Sequence, residues 1–156
     1  MAHVIATNAS HLPVSLVAMW GDATLADVEA MRRFYDACHA QERRFATLVD
    51  SRRSAVPSVA VRRALADMSN DFAERAKKHT VCVAVILDSK VLIGVLTAVR
   101  WFMRDNAELH YFPTAKDGLA WIEVRLARES LPVPPAARAL VARLDSTDDV
   151  SFLSVG

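Results

Sequence analysis

Apolar and polar residues recur along the chain with two periods, and each period predicts one kind of element. Between residues 14 and 20 every second position is apolar, which is typical of a strand with one buried face. A shorter strand over residues 3–7 precedes it. The polar residues 8–11 between the two predict a hairpin turn, and Gly21 ends the second strand.

Apolar residues spaced by three or four positions predict an amphipathic helix after Thr24. Thr24 and Asp27 have the spacing of a capping box, in which each side chain binds the backbone amide of the other. The buried stripe of this helix consists of Leu25, Val28, Met31, Phe34 and Cys38. A second helix is predicted to begin near Pro57 or Ser58, with a buried stripe of Val61, Leu65, Met68 and Phe72.

Three further strands are predicted at residues 45–49, 81–87 and 109–112. The 81–87 segment is apolar at every position, so we expect it near the centre of a sheet with helices above and below. The helix that follows, over residues 90–103, is apolar on more than half of its circumference. Thr114 begins a final amphipathic helix, over residues 115–127, because Asp117 repeats the capping-box spacing.

The predicted order of elements is ββαβαβαβα, which indicates an α/β fold with crossover connections. We expect a mixed, mostly parallel sheet of four to five strands flanked by helices, with the first hairpin adding an antiparallel edge strand. Residues 1–130 form this domain. Residues 131–156 are predicted to be a proline-containing connector, a short helical extension over 136–144 and a polar tail.

Composition and charge narrow the classes of partner. The 156 residues include 19 Lys and Arg and 18 Asp and Glu, for a net charge of +1, so no general attraction to nucleic acid is expected. The longest apolar run, residues 91–102, is interrupted and shorter than the ~20 residues of a membrane span, so no integral membrane contact is expected. The N-terminus lacks a signal-peptide pattern, and a cytoplasmic location is the expectation. Cys38 and Cys82 are predicted to be buried, reduced thiols.

Catalysis, metal binding and cofactor binding lack supporting motifs. The five histidines are scattered without an i, i+4 pair, and the four glycines form no phosphate-binding loop. Neither a serine nor a cysteine stands in a nucleophile signature. The sequence therefore predicts a protein that is not an enzyme, with no catalytic residues, no metal and no cofactor.

Two stretches carry a family resemblance. Residues 20–29, WGDATLADVE, resemble the opening pattern of the STAS-like family, bacterial domains related to anti-sigma-factor antagonists and more distantly to the lipid-binding Sec14 fold. Residues 112–122, FPTAKDGLAWI, resemble its closing pattern of an aromatic strand end followed by a helix. The resemblance spans about residues 1–128. It implies a mixed sheet flanked by helices, and binding of a protein or a small ligand without catalysis.

The resemblance also implies a candidate switch residue. In the phosphorylated antagonists a Ser or Thr follows Asp at a strand end, just before a helix, and Asp50 and Ser51 occupy a similar place here. This chain departs from the pattern, because Arg52, Arg53 and Ser54 follow instead of a second hydroxyl residue and a glycine. A phosphorylation switch at Ser51 is therefore one hypothesis for this segment.

Two readings of the 50–58 segment follow from the residues themselves. As a loop after a parallel strand, it would face the usual ligand crevice, and Arg52, Arg53 and the free amides at the helix start near Ser58 would suit an anion. Asp50, Ser51 and Ser54 complete this candidate loop. In the alternative reading the loop is solvated and Ser58 only caps its helix.

The apolar helix over residues 90–103 is the other informative feature. One stripe of Leu92, Leu96, Val99 and Met103 is predicted to face the sheet, which leaves Ile93 and Trp101 pointing elsewhere. In one alternative the C-terminal helix 136–144 covers that second stripe. In another the stripe is a self-association or partner surface that includes Ile93, Arg100 and Trp101. Membrane contact is the third alternative.

Two functional hypotheses follow. The first is a regulatory or scaffold domain that binds a protein partner and self-associates as a homodimer. The second is a small-ligand or lipid carrier with a cavity between sheet and helices. The sequence identifies neither a partner nor a ligand.

Overall fold

The computed structural model describes residues 4–100 and 107–153, in which strands and helices alternate as the two periods predict. The elements are β1 (Val4–Asn8), β2 (Val14–Gly21), α1 (Leu25–Ala40), β3 (Phe45–Ser54), α2 (Val59–His79), β4 (Thr80–Ile86), α3 (Lys90–Arg100), β5 (Leu109–Phe112), α4 (Ala115–Arg128), α5 (Pro135–Ser146) and a short 3-10 helix (Ser151–Leu153). The last three residues of the predicted 90–103 helix lie outside the described residues. No helix of the described ranges has both the length and the apolar character that a membrane span requires.

The strands form one sheet in the order β1-β2-β3-β4-β5. β1 pairs antiparallel with β2, whereas β2, β3, β4 and β5 are parallel to one another. The apolar strand β4 is hydrogen-bonded on both sides, to β3 and to β5. This confirms the predicted mixed, mostly parallel sheet and its antiparallel edge hairpin.

Side-chain caps start three helices at the predicted places. Thr24 Oγ1 accepts the amide of Asp27 at 3.3 Å while Asp27 Oδ2 accepts the amide of Thr24 at 2.6 Å, which completes the capping box of α1. Ser58 Oγ accepts the amide of Val61 at the start of α2. Thr114 accepts the amide of Asp117 at the start of α4. These local hydrogen bonds explain why the helix starts could be located from sequence.

The two faces of the sheet are covered by different helices. On the α4 face, α4 and α5 pack on side chains such as Ala46, Leu48 and Ala84. On the α1–α3 face, helices α1, α2 and α3 pack on side chains such as Val17, Val49 and Val85. β4 contributes to both clusters, as expected for a strand that is apolar at every position.

The C-terminal segment belongs to the α4 face. Its side chains Val133, Ala137, Val141, Leu144, Val150 and Leu153 are all buried in the same cluster as the sheet residues of that face. α3 lies on the opposite face, where Leu92 is buried and Ile93 and Leu96 are half-buried. The alternative in which the C-terminal helix covers α3 is therefore wrong for the described part of α3, because the sheet separates the two helices.

β3 is longer than predicted. The pattern of five polar residues after Val49 predicted a loop, but Asp50 pairs with Ala18, Arg53 with Trp20 and Ser54 with Gly21 across the parallel β2–β3 ladder. A shift in register between Ala18 and Trp20 accompanies this extension. The candidate loop 50–54 is therefore a strand end, held by backbone hydrogen bonds to β2.

Helix α4 approaches β4 closely at Gly118. A Cβ atom at this position would lie 2.5 Å from Cδ1 of the fully buried Ile86 and 3.4 Å from Cβ of Ala84. At Gly94 in α3, by contrast, no atom lies within 4 Å of such a Cβ. The two helical glycines therefore have different roles, because only Gly118 is required by packing.

We predict opposite effects for substitutions at the two glycines. Gly118→Val should lower the free energy of unfolding by about 2 kcal/mol because it overpacks the contact with β4. Gly94→Ala should raise it by about 0.5–1 kcal/mol, since alanine restricts the unfolded backbone and meets no obstacle. Urea unfolding followed by circular dichroism measures both. A stable Gly118→Val protein would contradict the close packing of α4 on β4.

Candidate functional site

The starts of three helices converge at one edge of the sheet. Because β2, β3 and β4 are parallel, the connections from their carboxyl ends to α1, α2 and α3 lie side by side. A small pocket of about 30 Å³ is lined by residues from all three connections, among them Ala23, Pro57 and Leu87. We call this region the carboxyl edge.

The carboxyl edge carries most of the exposed large hydrophobic side chains. Five such side chains are found in the described residues, and four belong to the helix starts at this edge: Leu25 (55% exposed), Val56 (50%), Val59 (68%) and Val91 (69%). The fifth, Val124, lies within α4 on the other side of the sheet. Clustered apolar side chains on a protein surface are typical of binding sites.

The strand geometry of β3 divides the candidate residues 50–54 between the two faces. Successive side chains of a regular strand point to opposite sides, and the register shift opposite Ala18 and Trp20 then brings Arg53 to the same side as Arg52. Asp50 and Arg52 face α4 and α5, whereas Ser51 lines the small pocket on the α1–α3 face. The residues that the sequence placed in one loop therefore take part in two different environments.

Asp50 and Arg52 form a buried ion pair. Asp50 is 1% exposed, and its two carboxylate oxygens accept hydrogen bonds from Nε and Nη2 of Arg52 at 3.0 and 2.8 Å. Arg52 also donates to the carboxylate of Asp145 at 2.7 Å and to the carbonyl oxygen of Leu144. These hydrogen bonds raise the pKa of Arg52 above its ordinary value, with the bond to Asp50 as the largest cause.

Asp145, at the end of α5, also caps α4. Its carboxylate accepts the backbone amides of Ala115 and Lys116, each at 2.9 Å, at the positive end of the α4 dipole. Burial by itself would raise the pKa of Asp145, but these amides and the Arg52 guanidinium hold it below its ordinary value. The anion that binds beside Arg52 is therefore a carboxylate of the chain itself.

Arg53 also binds the C-terminal segment. It donates to Asp148 at 2.6 Å, and its guanidinium lies 4.9 Å from the ring centroid of Trp20. Ser54 donates to the carbonyl oxygen of Met19, and Ser58 caps α2. In the arrangement described here, both arginines of the predicted anion-binding loop are engaged within the chain.

We predict that these adjacent arginines contribute very unequally to stability. Arg52→Leu should lower the free energy of unfolding by about 3 kcal/mol, because it leaves the buried Asp50 carboxylate without its counter-ion. Arg53→Leu should cost less than about 1 kcal/mol, since its partner Asp148 is 92% exposed. Chemical denaturation of the two variants measures the difference. Equal losses would show that Asp50 does not depend on Arg52.

A larger cavity lies between the sheet and helices α1 to α3, next to the small pocket. Its volume is about 200 Å³, and its walls are mainly apolar, with Met19, Met31 and Met68 among them. Ser51 lines both the cavity and the small pocket. Its Oγ is buried and has no hydrogen-bond partner among the described residues.

Two buried histidines meet at the far ends of α1 and α2. The Nδ1 atoms of His39 and His79 are 3.1 Å apart, so one ring donates to the other. The His39 ring also stacks on Phe72 and meets the edge of Phe45. Burial lowers the pKa of His39 to about 4, and the positive charge of Arg75 adds to the effect. The sequence pattern does not predict this pair, because the two histidines are 40 residues apart and share only a place in the last turn of a helix.

The histidine pair predicts a loss of stability on mild acidification. In the unfolded chain His39 takes up a proton near pH 6.5, whereas in the fold it stays neutral down to about pH 4. The neutral His39 ring therefore does not reduce the free energy of unfolding above pH 6.5. Between pH 7 and 5 we expect the free energy of unfolding to fall by about 1–2 kcal/mol. The His39→Phe/His79→Leu double variant keeps the aromatic packing and should have a flatter profile. Parallel profiles for the two proteins, from thermal unfolding across this range, would contradict the assignment.

The three candidate interface residues predicted for α3 lie in different places. Ile93 is half-buried against the α1–α3 face. Arg100 is half-buried, lines the 200 Å³ cavity and donates to the carbonyl oxygen of Ala107. Trp101 lies outside the described residues. Among the described side chains of α3, the exposed large apolar one is instead Val91, in its first turn.

The described residues contain no group of three or more His, Cys, Asp or Glu side chains that could hold a metal ion. Cys38 and Cys82 are free and buried, as predicted, and burial raises the pKa of each thiol to about 12. Both cysteines are therefore protonated and unreactive at neutral pH.

Comparison with known proteins identifies the fold. No protein-family model and no curated protein matches the chain. A crystal structure of an uncharacterized protein from the DUF3478 family with a SpoIIAA-like fold, from Shewanella loihica PV-4, matches with a TM-score of 0.56 and 19% identity over 78% of this chain and 96% of that chain. An anti-sigma factor antagonist from Mycobacterium paratuberculosis matches with a TM-score of 0.51 and 16% identity over 78% of this chain and 94% of that chain. The chain thus has the SpoIIAA-like fold that the resemblance to STAS-like domains predicted.

Proposed function

We propose that this chain is a non-catalytic regulatory or scaffold domain that binds a partner protein through its carboxyl edge. The observation that carries the proposal is the clustering of Leu25, Val56, Val59 and Val91 at the starts of three adjacent helices. Each of these side chains leaves at least half of its surface in water. Burial of such side chains by a partner would be favourable by roughly 25 cal/mol per Å² of apolar area.

The surface continues from Val59 and Val91 along a groove between α2 and α3. This groove has a volume of about 450 Å³; Val95 and Ala98 of α3 line one side, and Ala66 and Arg62 of α2 line the other. The groove thus combines apolar and charged side chains, as many protein interfaces do. We place the self-association expected from the sequence on this same surface, since α3 contributes Val91 and Val95 to it.

The anti-sigma factor antagonist among the similar structures supports this proposal by analogy of fold. The state of the cysteines and of the buried carboxylates also supports a non-catalytic role. Both cysteines are buried and protonated, and the carboxylates Asp50 and Asp145 are both paired with Arg52. These groups stabilise the fold rather than face a substrate.

The Val59→Lys/Val91→Lys double variant tests the carboxyl edge. The wild-type domain should capture partner proteins from an extract of the native cell. For at least one of them, we expect the double variant to capture at least tenfold less, because two lysines replace the exposed apolar side chains of Val59 and Val91. Quantitative mass spectrometry of the captured proteins measures the loss, and sedimentation velocity measures self-association separately.

Val124→Lys is the matched control for this experiment. It introduces one lysine, against two in the double variant, at another exposed valine of a helix (52% exposed), but on the α4 side of the sheet. Exposed helix positions tolerate such changes within about 0.5 kcal/mol, so all variants should remain folded. If the wild type, the double variant and the control capture the same proteins in the same amounts, the proposed binding surface is wrong.

A further inference from the structure

The hydroxyl of Ser51 is one of five buried side-chain atoms without a hydrogen-bond partner in the described residues, and it is the one among them that belongs to a hydroxyl group. Ser51 is 3% exposed, and its Oγ has no hydrogen-bond partner among the residues that the structure describes. Leaving a hydroxyl buried and unpaired costs about 1–3 kcal/mol, so such groups are rare in folded proteins and call for a specific cause. Neighbouring hydroxyls on the sheet are satisfied: Ser15 Oγ and Thr47 Oγ1 lie 2.9 Å apart and share a hydrogen bond.

The position of Ser51 connects this hydroxyl to the cavity. Ser51 lies where the 30 Å³ pocket of the carboxyl edge adjoins the 200 Å³ cavity, and it lines both. Met19, Met31, Leu65 and Leu96 also line both spaces, so an apolar path leads from the edge past Ser51 to the interior. An apolar cavity of about 150 Å³ holds a benzene molecule, so this one has room for a single ring with a small substituent.

We propose that this cavity is a binding site for a small, predominantly apolar molecule with one hydrogen-bonding group, and that Ser51 anchors that group. The apolar walls supply the favourable burial, and the otherwise unpaired hydroxyl supplies the orientation. This division is common in small-molecule sites, which are mainly apolar with a few placed polar groups. The site is independent of the protein-binding proposal, because it lies beneath the carboxyl edge and not on it.

This role also changes the interpretation of Ser51 as a phosphorylation switch. A kinase needs an accessible hydroxyl, whereas this one is enclosed between β3 and helices α1 to α3. A phosphate group there would bring nearly two negative charges into an apolar space. Arg52 and Arg53 could not neutralise it, since both bind carboxylates on the α4 face. Arg100, which lines the cavity, donates instead to the carbonyl oxygen of Ala107.

Phenol and toluene are suitable probes, because they have the same number of heavy atoms and differ by one hydroxyl group. Met19, Met31 and Met68 line the cavity, so their methyl groups, labelled with ¹³C, report directly on its occupancy by NMR. We expect both probes to shift these signals. Phenol should bind about fivefold more tightly than toluene, as one net hydrogen bond to Ser51 implies.

Two variants make the test decisive. Ser51→Ala should abolish the preference for phenol and leave toluene binding intact; its melting temperature should not fall, since the lost hydroxyl had no partner. Ala76→Leu introduces a larger side chain from α2 into the cavity and should weaken the binding of both phenol and toluene. If neither probe shifts the methionine signals of the wild type, water alone satisfies Ser51 and the site does not exist. If Ser51→Ala keeps the preference for phenol, the cavity binds ligands but Ser51 is not their anchor.

Discussion

Burial of the central strands on both faces is the constraint on which the rest of this structure depends. β3 and β4 have helices above and below, so every side chain they carry must find partners in one of two apolar layers. An apolar side chain meets this requirement by packing. A polar one meets it only through a hydrogen bond or a counter-ion, because isolated buried charges are too costly to keep. The polar side chains at the end of β3 therefore require hydrogen-bond partners or counter-ions from the elements packed around them.

The C-terminal segment satisfies that requirement on the α4 face. Asp50 needs Arg52, and Arg52 carries enough donors to bind Asp145 as well. Asp145 in turn satisfies two amides at the start of α4. One chain of charge-assisted bonds thus joins β3, α5 and α4, while Val141 and Leu144 supply the apolar part of the same contact. The C-terminal segment is part of the core on this face, both by packing and by charge.

Sequence reasoning succeeded where the determining interactions are local. The helix starts at Thr24, Ser58 and Thr114 depend on contacts over three residues, and the covered strand 81–87 depends on its own composition. It failed where the partner is distant along the chain. Arg52 binds a carboxylate 93 residues away, and His39 binds a histidine 40 residues away. The polar composition of residues 50–54 predicted a loop because nothing local reveals that β2 continues beside them.

The two faces of the sheet differ in how closely they are packed, and this makes one face a better place for binding than the other. On the α4 face, α4, α5 and the segment up to Leu153 close the layer with fully buried side chains. On the α1–α3 face, the helices leave a cavity at the sheet, a groove between α2 and α3, and exposed valines at their starts. Close packing makes an interior rigid, whereas loose packing leaves room for another molecule. The partner surface and the ligand site inferred above therefore share the face on which the helices leave both a cavity at the sheet and a groove.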